Sequence, residues 1–196
     1  MRLACFLLSL IFATPQLVFA QDTAPATVST SATRVRVITN AGNFVIELDL
    51  GRAPLTVTAF LKYVEQDFYS GVIFHRVVQG FVAQTGGYTA DMTQKPVTSN
   101  LFNESGNGLS NLRGTVGFAR SNEPHSGTSQ FYINLSDNID LNPRPTRWGY
   151  AVFGKVIEGM EVVDDIGHRP TAGGGVFDRS VPVEPIVIER VELLDE

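Results

Sequence analysis

The feature that most constrains this chain is a succession of short apolar segments broken by turn residues. They fall at residues 72–78, 81–84, 115–119, 130–135 and 150–156, separated by clusters of Gly, Asn, Pro and Ser. Apolar runs this short, bounded in this way, predict strands rather than helices. Upstream, Val35 and Val37 alternate with polar neighbours, Asn40-Ala41-Gly42-Asn43 supplies turn residues, and Phe44, Ile46 and Leu48 alternate again. That pattern predicts a β-hairpin. Residues 186–194 predict a closing strand after the breaks at Pro182 and Pro185.

Two segments depart from the pattern. After Ala53-Pro54, the apolar residues Val57, Phe60, Leu61 and Val64 recur every three or four positions, with Pro54 where a first helical turn tolerates it. A helix is expected to about Gln66. Residues 159–167 (GMEVVDDIG) predict a second, shorter helix. With no regular alternation of strand and helix and no internal repeat, the sequence predicts a mainly β fold. The expected form is an antiparallel sheet closed into a barrel, with helices covering its ends.

The chain ends carry different information. Residues 1–20 (MRLACFLLSLIFATPQLVFA) have one positive charge at Arg2, an apolar run, and small or aliphatic residues at Val18 and Ala20. This predicts a secretory signal peptide cleaved after Ala20. Pro15 and Gln16 stop the run short of the ~20 apolar residues of a membrane span, so no membrane anchor is expected after cleavage. Residues 21–33 (QDTAPATVSTSAT) predict a flexible linker, and residues 34–196 one folded domain. Export to the periplasm or the medium follows. The net charge of -5 and the absence of a Lys/Arg cluster argue against nucleic acid as a partner. The only cysteine, Cys5, lies in the leader, so no disulfide and no thiol chemistry are expected.

Most chemistry-bearing residues fail a spacing test. His75, His125 and His168 are far apart, with no partner at zinc-ligand spacing. Ser129 sits in a stretch lacking the second glycine of a nucleophile elbow. Gly173-Gly174-Gly175 is not followed by a phosphate-binding lysine and predicts a surface turn, while Glu104 reads as a solvated or capping carboxylate. No cofactor is implied.

What remains is Arg76. A strand of period two would put Phe74, Arg76 and Val78 on one face and His75 and Val77 on the other. An arginine among apolar side chains either meets a carboxylate as a structural pair or lines a pocket open to a ligand. Spacing leaves both open. Gln84 and Gln130 are neutral amides suited to gripping a peptide backbone, or plain solvated strand residues.

Four ordered stretches carry a resemblance: FHRVVQGFVAQTGG (74–87), NESGNGLSNLRGTVGFAR (103–120), SGTSQFYINL (126–135) and GYAVFGKVIEGMEVVD (149–164). Together they resemble the cyclophilin-type peptidyl-prolyl cis-trans isomerases, most of all the exported bacterial members. The similarity runs from about Arg34 to the C-terminus. It implies a closed eight-stranded antiparallel barrel capped by two helices, with a shallow proline-binding groove, acting as a monomer on proline-containing polypeptides. The family's catalytic arginine falls on Arg76. Its pocket positions fall on Phe81, Val82, Gln84, Ala119, Arg120, Ser121, Gln130, Tyr132, Leu141 and Tyr150. The implied activity is isomerisation of X-Pro bonds in exported, unfolded proteins, without covalent or acid-base chemistry. A peptide-binding holdase with little turnover is the alternative.

The resemblance is imperfect inside its own motifs. Thr85 replaces a glycine, Val82 and Phe118 stand where Met is common, and Tyr132 stands where Phe is common. Asp140 falls where the family has an aromatic residue, Trp148 lies too far along to substitute for it, and Tyr150 replaces the eukaryotic histidine. These departures imply weak binding of cyclosporin, the family's inhibitor, and an altered preference for the residue before proline.

Overall fold

A computed structural model describes residues 33–194. The predicted signal peptide and all but the last residue of the predicted linker lie outside the described residues.

The chain opens with the expected hairpin, β1 (Arg34–Thr39) and β2 (Gly42–Leu48). Its turn needs a glycine: Gly42 has φ 127°, and a Cβ there would come within 2.9 Å of Val162. The first helix, α1 (Pro54–Glu65), buries Thr56, Val57, Phe60 and Tyr63. Six short strands and a second helix follow: β3 (Val72–Ile73), β4 (Arg76–Val78), β5 (Val82–Thr85), β6 (Thr115–Phe118), β7 (Phe131–Asn134), β8 (Val152–Glu158) and α2 (Met160–His168). Between β7 and β8 lies a 3-10 turn, Ile139–Leu141. The chain finishes with β9 (Thr171–Gly174), β10 (Phe177–Pro182) and β11 (Val187–Leu194).

Nine strands form one curled sheet in the order β3-β11-β1-β2-β8-β6-β7-β5-β4, and β9 and β10 make a separate two-stranded ribbon. Every pairing between named strands is antiparallel. The expected closed eight-stranded barrel is therefore corrected to an open nine-stranded order. The cause is local. The predicted single strand over 72–78 is two pieces, β3 pairing with β11 and β4 with β5, while Phe74 and His75 belong to neither ladder. The two edges of the sheet are thus neighbours in the chain.

The core lies inside the curl. Phe60 from α1 meets Phe131 edge-on at 5.4 Å and Phe153 at 5.4 Å, while α2 contributes Val163 and Ile166. One row of cross-strand partners, Val77, Ala83, Ile133 and Val116, points into this core. The adjacent row, Arg76, Gln84, Tyr132 and Gly117, must then point outward, because strand side chains alternate. The break between β3 and β4 also resets the alternation. Phe74 is in the core, as is Val77, so Phe74 and Arg76 do not share a face as the period-two reading expected. His75 is buried on the other side, against Tyr88 and Phe177.

Candidate active site

The outward row starts at Arg76. Its Nη1 donates to Gln84 Oε1 at 3.4 Å, and Gln84 Nε2 donates to Gln130 Oε1 at 2.9 Å. Among the described residues Arg76 has no carboxylate partner, so the structural-pair alternative left open by the sequence is not realised. Its guanidinium lies 5.7 Å from the Phe81 ring centroid. Burial lowers the Arg76 pKa, the Tyr150 phenol opposes this, and the nearby Arg179 charge lowers it further. An arginine still remains cationic under such a shift.

Gln130 is pinned from below. A Cβ on Gly87 would stand 2.5 Å from Gln130 Nε2, so a glycine is needed for the amide to lie flat over that backbone. Thr85, the departure beside it, is harmless because it continues β5. Its side chain is buried and donates to the Ile73 carbonyl at 2.9 Å, tying β5 to β3.

The apolar end of the site is built on Tyr132. Its ring lies over Gly117, where a Cβ would come within 2.3 Å of the phenol, and its hydroxyl donates to Asn111 Oδ1 at 2.6 Å. Val82 lies on the same face of β5 as Gln84 and is 2% exposed, so it forms floor rather than rim. Tyr150 meets Tyr132 edge-on at 6.1 Å, and its backbone N donates to the Leu141 carbonyl at 2.9 Å, which holds the 3-10 turn at this end. Arg120 stacks on Tyr150 at 4.4 Å and donates to the carbonyls of Gly149 (3.0 Å) and Trp148 (2.8 Å). Its charge is thereby committed to holding the 148–150 segment. Ala119 N donates to the Gln130 carbonyl at 2.9 Å, and Ser121, exposed, bonds Ser126 through its hydroxyl at 2.7 Å. Side-chain contacts and strand pairing thus link Arg76, Phe81, Gln84, Gln130, Tyr132, Tyr150 and Arg120, with Val82 and Tyr132 buried, while Ala119, Ser121 and Leu141 join through backbone atoms.

Residues set aside by the sequence have structural duties. Ser129 is buried, donating to the Gly86 carbonyl at 2.7 Å, and Glu104 caps α1. His125 Nδ1 accepts from Asn103 N at 3.1 Å, and Trp148 packs on His125 and Phe102. Asp140 is exposed and paired with Arg144. Among the described residues no three His, Cys, Asp or Glu side chains gather into a metal-binding group.

One supporting residue escaped sequence reasoning. Asn111 is fully buried; its Oδ1 accepts from Tyr132 and from Asn134 (3.2 Å), and its Nδ2 donates to Asn142 Oδ1 (3.0 Å) and the Tyr150 carbonyl (3.3 Å). It ties β7, the 3-10 turn and Tyr150 together. It stands within one of the four resembling stretches, but nothing about an isolated Asn in a polar loop marks it as a hub.

Residues 34–193 match the family described as "Cyclophilin type peptidyl-prolyl cis-trans isomerase/CLD". The chain belongs to this family. This cyclophilin is 46% identical over 170 residues to peptidyl-prolyl cis-trans isomerase A of Dickeya dadantii, covering 87% of this chain and 89% of that one. A Streptomyces antibioticus peptidyl-prolyl cis-trans isomerase is 48% identical over 163 residues, covering 82% and 98%. Among solved structures, a Cryptosporidium parvum cyclophilin-type isomerase crystallised in the presence of the dipeptide Ala-Pro superposes with a TM-score of 0.68 at 26% identity, covering 83% of this chain and 99% of that one. The cyclophilin is accordingly a peptidyl-prolyl cis-trans isomerase.

Proposed function

We propose that the isomerase activity of this cyclophilin is carried by Arg76, acting on a proline seated by Phe81, Val82, Tyr132 and Leu141. An X-Pro bond rotates over a barrier of ~18 to 20 kcal/mol because twisting removes the partial double bond between carbon and nitrogen. As the bond twists, the proline nitrogen regains a lone pair. A guanidinium N–H directed at that lone pair stabilises the twisted state more than the planar one, so the barrier falls without proton transfer or a covalent intermediate. Gln84 keeps the guanidinium in plane, and Gln130 and the backbone at 119–121 align the peptide on either side.

The observation that carries this reading is the electrostatic state of Arg76: a half-buried cation hydrogen-bonded to a neutral amide, with no carboxylate to absorb its charge. Ala-Pro in the Cryptosporidium parvum structure supports the choice of ligand class. Joining β3 and β4 as halves of one strand turns the nine strands into eight and brings the sheet's edges together, which supports reading the sheet as the family's closed barrel. The apolar leader at residues 1–20 supports an exported enzyme, periplasmic or secreted, whose substrates are newly translocated chains.

The test is NMR exchange on an Ala-Pro peptide with the purified chain and its Arg76→Ala variant. The variant should lose isomerase turnover by about 10²- to 10³-fold, the range for removing one preorganised donor. Turnover at the wild-type rate would overturn the assignment. Loss of turnover with undiminished protection of an aggregating client would separate an accompanying holdase function from isomerisation.

A further inference from the structure

The β9–β10 ribbon lies outside the main sheet, yet β10 packs against β4, the strand that carries Arg76. Between them is a cleft of about 640 Å³, with Arg76 and Val78 on one wall and Phe177, Asp178, Arg179 and Ser180 on the other. The ribbon is irregular at this point. From Phe177 to Val181 β10 advances four residues while its partner advances two, from Gly174 to Ala172, so residues 178–180 bulge out of the ladder. Ser180 adopts φ 69°, a left-handed conformation rarely taken by a residue with a side chain. Bulges re-aim side chains, and backbone held in such a conformation is kept by surrounding structure. That structure is Phe177, packed on His75 at 5.3 Å and on Tyr88 at 5.1 Å. The bulge is thus anchored to the residue preceding Arg76.

Arg179 is exposed and, like Arg76 and Asp178, forms no ion pair among the described residues. The cleft holds two guanidiniums against one carboxylate, a net single positive charge. Like charges brought together at the surface of an acidic protein are unfavourable unless a ligand offsets them.

We propose that this cleft is a second substrate subsite, taking the carboxylate side chain of an Asp or Glu that flanks the proline, with Arg179 as its partner. The proposal rests on the assignment of Arg76 to the proline site, because Arg76 lines both spaces. A shared wall makes the two subsites contiguous, so one extended peptide can occupy both. Val78 and Phe177 line the cleft with apolar surface suited to the methylene groups of Glu.

The test is isomerisation measured by NMR exchange at low salt on matched X-Pro peptides with Glu, Gln or Lys on either side of the X-Pro pair. The Glu peptide is expected to exceed the Gln peptide in kcat/KM by about two- to fivefold, the size of a solvent-exposed ion pair, with the difference in KM and its loss in high salt. Arg179→Gln should collapse the Glu-to-Gln ratio towards one, and Arg179→Glu should invert it in favour of Lys. Lys62→Gln, the same charge change on the exposed face of α1, should leave both turnover and the ratio as they are. Equal turnover of Glu and Gln peptides by the wild type, or a preference that survives Arg179→Gln, overturns the subsite while leaving the isomerase reading intact. Full activity of Arg76→Ala on the neutral peptide overturns the reading beneath it.

Discussion

At the scale of single residues, the neighbours His75 and Arg76 face opposite demands. Burial pushes the His75 imidazole down to about 4 from an ordinary 6.5, reinforced by the Arg76 charge, with Ile73 and Gln130 pulling the other way. Its Nδ1 has no hydrogen-bond partner, so the folded protein holds the ring neutral in an aromatic pocket. Below pH 6.5 the unfolded chain takes up a proton that the folded chain refuses. Stability therefore falls with pH, by ~1.4 kcal/mol per unit, until the folded ring also protonates near pH 4. Urea unfolding of wild type and His75→Gln at pH 7 and pH 5 should show the wild type losing about 2 kcal/mol more than the variant over that interval. Equal losses would refute the assignment. The period-two reading set His75 with Val77 and away from Arg76, but the break after Ile73 leaves Val77 in the core and His75 outside it, and spacing could not show the burial. That comes from Phe177, about a hundred residues later, on a ribbon that the sequence did not predict.

At the scale of elements, α1 shows how little of a helix end is local. Its N-cap residue is Ala53, which has no side-chain acceptor. The acceptor comes from Glu104, whose two carboxylate oxygens receive Leu55 N (3.0 Å) and Thr56 N (2.7 Å). The Thr56 hydroxyl also donates to it at 2.6 Å. A carboxylate here satisfies orphan amides and meets the positive end of the helix dipole. Glu104→Ala should cost about 1 to 2 kcal/mol in urea unfolding, and Glu104→Gln about half as much, with the isomerase rate of the folded fraction unchanged. A cost below 0.3 kcal/mol, about the floor for a surface charge near a helix end, would show that the cap is dispensable. The helix itself was legible in its three-to-four spacing, β1, β2 and β11 in their alternation, and the strands between in short apolar runs bounded by turn residues. The gap between β3 and β4 was not, since Phe74 and His75 both suit a strand. The β9–β10 ribbon was missed for the opposite reason: Gly173 to Gly175 offer no alternation to read, and only the pairings of Gly174 with Phe177, Ala172 with Val181 and Thr171 with Pro182 reveal a ladder.

At the scale of the whole molecule, strand order was not legible, because local patterns do not say which strands pair; the family resemblance implied only an antiparallel barrel. The decisive long-range feature is β11, which pairs with β1 on one side and β3 on the other and places Ile188 and Val191 in the core. A chain ending at Pro185 would leave two strand edges bare and a gap in the core. It should show no cooperative urea transition and no isomerase turnover, and a sharp transition in that truncated chain would refute the claim that β11 is indispensable. The same clasp has a mechanical side. Because Arg34 lies opposite Leu194, tension applied between the two ends of the domain loads one hydrogen-bonded pair at a time, as in a zipper, instead of shearing the ladder all at once. A pull on the C-terminal end would peel β11 from β1 first and release β3 last, because β3 meets only Val187 and Ile188 at the far end of that strand.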